Sequence, residues 1–205
     1  MALHIRSVEA PLDSREATAA AVETLKTMEA MGLLGDQVVE VLDLDAVRSA
    51  AGRAARAGIG EAAAAALQAT RPGSREVAAA LRELNVALEG SPAPAFEWPA
   101  MVELFGAERL SAFVGVSIAS LRRYAAGERS TPDLVAARLH LLARIVGDLR
   151  GAYSPVGVRR WFERVRSQLG GKAPADLLSG GREPEGDDGR RVLALARSLT
   201  GSPAT

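Results

Sequence analysis

The sequence predicts an all-α fold, and three observations carry that prediction. Apolar residues recur every three or four positions over most of the chain, the spacing that gathers them on one face of a helix. Alanine, the best helix former, crowds residues 47–67. Glycines, and the serines and prolines that begin helices, divide these stretches into lengths of about 8 to 20 residues, usual for globular helices. At 205 residues the chain suits one or two domains and can bury a sizeable core.

Residues 3–8, LHIRSV, alternate enough for a short strand or an extended arm. Residues 14–31 read as a helix on Val22, Leu25, Met28 and Glu29, with Gly32 as its stop. Residues 33–44 contain QVVEVLDL, a short apolar run that suits a buried strand or a helical turn. The alanine-rich 47–67 reads as two helices separated at Gly58-Ile59-Gly60. Residues 74–88 form another helix, capped by Ser74 and spaced by Val77, Leu81, Leu84 and Leu88. Together these make a helical N-terminal domain over residues 1–89, whose alanine faces allow close packing on the rest of the chain or on a second copy. Residues 90–96 include Gly90-Ser91-Pro92-Ala93-Pro94-Ala95. Their alternate prolines oppose helix, so a linker is expected there.

A short helix over residues 98–104 follows, with Trp98, Met101, Val102 and Phe105 as core candidates. Residues 109–129, RLSAFVGVSIASLRRYAAGER, then read as a helix, a tight turn at Gly115 and a second helix starting near Ser117. Leu110, Val114, Val116, Leu121 and Tyr124 are the apolar positions, and Ser111 is small where the two helices are expected to approach. This is the pattern of a helix-turn-helix, whose second helix enters the DNA major groove. With Leu121 and Tyr124 turned to the core, Ser117, Ala119, Ser120, Arg122 and Arg123 are left facing outward, and Arg129 falls near the backbone. The plainer reading is a helical hairpin with solvated arginines. Gly127 is the expected helix stop, and Ser130-Thr131-Pro132-Asp133 the expected start of a long helix over residues 132–150. Leu134, Leu139, Leu141, Leu142, Ile145, Val146 and Leu149 supply its apolar stripe. The stretch resembles the DNA-binding unit of the Xre and Cro repressor group, and the DNA-binding domain is expected over residues 97–153.

The last fifty residues hold a second pattern. Val158, Trp161, Phe162 and Val165 fit one helical face that Leu169-Gly170-Gly171 ends. Pro174 restarts a short helix backed by Ala175, Leu177 and Leu178. A charged loop over residues 180–189 leads to a final helix from Arg190 to Leu199. Trp161, the Gly170-Gly171 turn, Pro174, Leu177-Leu178 and that final helix resemble the toxin-binding domain of the Xre/MbcA/ParS antitoxin family, in which this domain directly follows an Xre-like helix-turn-helix. The chain departs from the family pattern at Phe162, where leucine is usual, and in its N-terminal extension.

The resemblance implies a type II antitoxin. Residues 154–205 would hold a cognate toxin, a RES-domain enzyme that consumes NAD ahead of a PIN-fold nuclease, while the helix-turn-helix binds operator DNA and represses the operon. It implies a homodimer, or a larger hetero-oligomer with the toxin, and a cytoplasmic location. Most of Trp161, Pro174 and the leucines would be core and turn residues. Toxin contact would then fall to exposed neighbours: Arg166, Lys172, Arg190, Arg191 and Arg197. The alternative is a stand-alone helix-turn-helix regulator whose terminal domains dimerise or sense a ligand.

Formal net charge is zero, but the halves differ: residues 1–100 carry 9 Lys and Arg against 14 Asp and Glu, and residues 101–205 carry 16 against 11. The second half is therefore the side expected to meet phosphate. The absence of cysteine excludes disulfides and thiolate metal sites. Only Lys26 and Lys172 among the 25 basic residues are lysine, which fits a GC-rich bacterial coding sequence. The start MALHIRSVEAPLDS lacks a signal-peptide pattern, and no apolar run reaches the roughly 18 to 20 residues of a membrane span. His140 is expected to be a surface or satisfied core residue. With His4 the only other histidine, no metal site, cofactor or catalytic constellation is expected, and no enzyme activity. The Asp187-Asp188 loop with Glu183 and Glu185 is read as a solvated turn.

Overall fold

A computed structural model describes residues 3–68 and 72–200, and residues 201–205 of the expected C-terminal domain lie outside them. The fold is mainly helical. The chain divides into two compact units, residues 1–91 and 92–205.

In the first unit the order is β1 (Leu3–Val8), α1 (Arg15–Ala30), β2 (Val39–Leu42), α2 (Leu44–Arg56), α3 (Glu61–Leu67) and α4 (Ser74–Gly90). The run over residues 33–44 holds a strand because β1 offers it a partner. The two strands pair in parallel, Leu3 opposite Val39 and Val8 opposite Leu42, with α1 as the crossover. Ser14 caps α1, its Oγ accepting from Ala17 N–H at 3.2 Å. The buried face of α1 is Ala17, Ala20, Ala21, Thr24, Leu25 and Met28, whereas Val22 and Glu29 are only half-buried. Alanines on this face let α1 and α4 approach closely, and Thr24 Oγ1 donates to Leu81 O across that interface at 3.2 Å. The cap of α4 is Gly73 rather than Ser74. Its N–H donates to Glu76 Oε2 at 2.8 Å, the half of a capping box that the first-turn carboxylate supplies.

The second unit runs α5 (Pro94–Val114), α6 (Ile118–Ala125), α7 (Asp133–Leu149), α8 (Pro155–Glu163), a 3-10 turn at Ser167–Leu169, α9 (Pro174–Leu178) and α10 (Asp187–Thr200). The linker expected over residues 90–96 contracts to the three between Gly90 and Pro94, because Pro94 takes the first helical position, where its missing N–H costs nothing. Helix α5 is broken at Gly106 (φ 76°, ψ 161°), which separates the expected short helix from the first helix of the helix-turn-helix. Pro132 stands one position before α7, and Leu134 is 42% exposed, so the stripe is led by Val135 and Ala136 instead. Helix α8 stops at Glu163, leaving Val165 outside it and 63% exposed. Helix α10 begins at Asp187, three residues before Arg190, because the two aspartates suit its positive N-terminal end.

Residues 97–153 and 154–205 do not separate into two domains. Helix α10 packs along α7, while α8 and α9 pack on α5. Phe105 and Phe113 of α5 meet Phe162 of α8, with ring centroids 4.9 Å and 5.6 Å apart. The aromatic residues that fill the core of the expected toxin-binding segment therefore close the back of the helix-turn-helix.

Candidate functional site

Helix α6 is eight residues long, and its sequence fixes which side faces out. Leu121 and Tyr124 are buried; Ala119, Arg122 and Arg123 are exposed. Ser117 caps it, Oγ accepting from Ser120 N–H at 3.1 Å and donating to Ser120 Oγ at 3.1 Å. The Ser117 hydroxyl is thus engaged as the helix cap and bonded to that of Ser120, at the end that a recognition helix presents to bases. The chain bends by 118° between α5 and α6, within the roughly 90–120° at which helix-turn-helix pairs meet. Gly115 makes the turn at φ 71°, and its N–H and that of Val116 both donate to Ser111 O. Ser111 therefore serves the turn through its carbonyl.

Behind α6, Tyr124 stacks on Trp98 at 6.0 Å, and Trp98 Nε1–H donates to Thr131 Oγ1 at 2.9 Å. Arg129 lies over the outer side of the Tyr124 ring at 5.7 Å, which positions its charge beside the helix end. Arg122 and Arg123 make no ion pair among the described residues, so their charge is available to a phosphate or base edge.

Two groups near the turn have no obvious mark in the sequence. Arg138 of α7 donates from Nη1 to Val114 O at 3.3 Å and from Nε to Arg182 O at 2.8 Å, tying the turn to the loop after α9. That loop also touches the turn directly. Gly180 N–H donates to Ala112 O at 3.0 Å, and a Cβ on Gly115 would fall 2.4 Å from Gly181 Cα. Gly115 has no room for a side chain, and a Cβ on Gly181 would lie tightly against Arg138 Nη1 at 3.1 Å and Gly115 Cα at 3.2 Å. Deeper in, Glu97 Oε1 lies 2.6 Å from His140 Nδ1, both side chains buried between α5 and α7. His140 is thus a satisfied core residue, and its partner is an acid placed beside Trp98 on the apolar face of α5.

In the C-terminal segment, Trp161 is 1% exposed, edge-on to Phe162 at 5.4 Å. Its helix, α8, packs on α5 and α9. Gly170 (φ 68°) and Gly171 (φ 76°) turn the chain so that Arg166 N–H reaches Lys172 O at 3.0 Å, and Pro174, Leu177 and Leu178 are buried on α9. The basic candidates divide by environment. Arg166 is half-buried with its guanidinium 5.4 Å over the Trp161 ring, so it is a packing residue and not the exposed side chain expected. Arg190 pairs with Asp187 at 2.5 Å and also donates to Glu185 O; Arg197 pairs with Asp148 at 3.5 Å. Arg191 reaches Gln168 O at 3.4 Å, and Lys172 is exposed. Arg160 and Arg164 are also exposed and without an ion pair among the described residues, and nothing in the sequence pattern marks them.

Among the described residues no three His, Asp or Glu side chains group as a metal site, and no single helix is long and apolar enough to cross a membrane. The chain matches no protein-family model, no curated protein and no solved structure.

Proposed function

We propose that this chain is a type II antitoxin that binds its own operator through α6 and holds a toxin through the segment from α8 to α10. The observation that carries the DNA half is the capped, eight-residue α6 after a glycine turn, with Arg122 and Arg123 exposed and, among the described residues, without ion-pair partners. Ser117, Ala119 and Ser120 would sit closest to the bases, and Arg122, Arg123 and Arg129 would meet phosphates or guanine edges. Binding as a dimer on paired half-sites would compensate for the short helix.

The toxin half rests on the order of parts: a helix-turn-helix followed by a tryptophan helix, a double-glycine turn and a proline-started helix. Lys172 and Arg191 would contact a RES-domain toxin, with Arg190 and Arg197 joining after exchange of their present carboxylate partners. A cytoplasmic setting follows from that role. Helix α6 would equally serve a regulator with no toxin, and an open pocket in the same unit favours that second reading.

Two measurements separate the outcomes. Arg122→Ala/Arg123→Ala should weaken binding to DNA upstream of the gene and lower its salt slope by about one for each phosphate that is no longer neutralised. Unchanged gel-shift affinity refutes the role given to α6. Co-expression with the adjacent gene tests the toxin reading: Lys172→Glu/Arg191→Glu should release the neighbour's toxicity while DNA binding persists. A neighbour that is harmless alone removes the antitoxin assignment.

A further inference from the structure

The second unit contains an open pocket of about 180 Å³ between α5, α8 and α9, away from the exposed face of α6. Its floor is Phe105, Phe113 and Phe162, three mutually packed rings with centroids 4.9 to 5.6 Å apart. Its polar lining includes Arg109, Arg159 and Glu163. The pocket is smaller than the roughly 300–1,000 Å³ of pockets that take drug-sized ligands. It suits a single six-membered ring, given that an apolar cavity of about 150 Å³ takes benzene.

Charge narrows the class further. Arg109 Nη2 and Glu163 Oε1 are 2.5 Å apart and neutralise each other. Arg159 is half-buried, donates from Nη1 to Leu104 O at 3.1 Å, and pairs with no carboxylate among the described residues. A half-buried guanidinium beside an aromatic floor lacks an anion, and a planar carboxylate matches its fork of donors. We propose that this pocket is a binding site for a small ring-bearing monocarboxylate, its ring against Phe105, Phe113 and Phe162 and its carboxylate on Arg159. The site stands independently of the antitoxin reading, because ligand binding is read directly on the protein.

The test is an NMR titration of the full chain with benzoate and, separately, with benzyl alcohol, which keeps the ring and removes the charge. Benzoate should shift the amides of Ala112, Phe113, Ala175 and Ser179 with saturation in the millimolar range. Benzyl alcohol should bind roughly tenfold more weakly, for want of one charge-assisted pair. Arg159→Gln should make the two ligands bind alike. Ala112→Leu, at an exposed helical position on the pocket wall, should exclude both while leaving thermal unfolding unchanged. The proposal is overturned if neither compound shifts those amides at about 20 mM, if the alcohol binds as tightly as benzoate to the natural chain, or if Arg159→Gln keeps the preference for benzoate.

Discussion

Glu97 and His140 are both buried between α5 and α7, and their 2.6 Å contact couples them. Removing His140 leaves Glu97 buried with an unmet demand, whereas removing both replaces a polar contact by an apolar one. His140→Leu should therefore cost about 3 to 5 kcal/mol. The double variant Glu97→Leu/His140→Leu should recover much of that deficit in urea unfolding, and equal costs for the single and double variants would mean the pair is not coupled. Trp161 makes a different case: its ring is almost fully buried against Phe162 and under the Arg166 guanidinium. Trp161→Ala should cost about 3 to 5 kcal/mol, the range for a large-to-small core change, read as a lower urea midpoint. Any effect on a partner would then act through folding of the unit.

At the scale of elements, the approach of the loop after α9 to the helix-turn-helix is the feature that sets α6 in place. Gly115 and Gly127 both have left-handed backbones, φ 71° and 70°, but differ in surroundings. A Cβ on Gly127 meets nothing within 4 Å, while on Gly115 it strikes Gly181 Cα at 2.4 Å. Gly127→Ala should then cost only the left-handed strain, about 1 to 2 kcal/mol. Gly115→Ala should cost clearly more, because backbone must move as well, and it should also weaken DNA binding by shifting α6. Similar unfolding midpoints for the two variants would show that the approach of Gly115 to Gly181 is looser than this geometry.

For the whole molecule, the boundary at Ser91 and Pro92 and the shared core of the second unit lead to a prediction about fragments. Residues 92–205 should fold alone, with helical circular dichroism and one cooperative thermal transition. Residues 92–153 should not. They would lack Phe162 for the Phe105–Phe113 cluster, α10 for the face of α7, and Gly180 for Ala112 O. A cooperative, helical 92–153 fragment would restore the view of an independent DNA-binding domain. Deleting the C-terminal segment is for the same reason a poor test of partner binding, since it would remove the support of α6 as well.

Local rules written into the chain determined most of the elements. Three- and four-residue spacing placed the helices, Gly115 and Ser117 placed the turn and cap of α6, and Leu121 with Tyr124 determined that Arg122 and Arg123 face outward. The Gly170-Gly171 turn and Pro174 likewise needed no partner to be read, because backbone preferences are local. Only the tertiary structure decided what depends on residues far apart. A four-residue strand at Val39–Leu42 exists because β1 lies beside it. Arg166, read as exposed, is taken up by the Trp161 ring, and Arg190 and Arg197 by Asp187 and Asp148. The joining of the helix-turn-helix to the C-terminal segment comes from Arg138, Gly181 and three phenylalanines. Periodicity tells which face of a helix seeks burial, but which other face it meets depends on how volumes and charges fit once the chain has closed on itself.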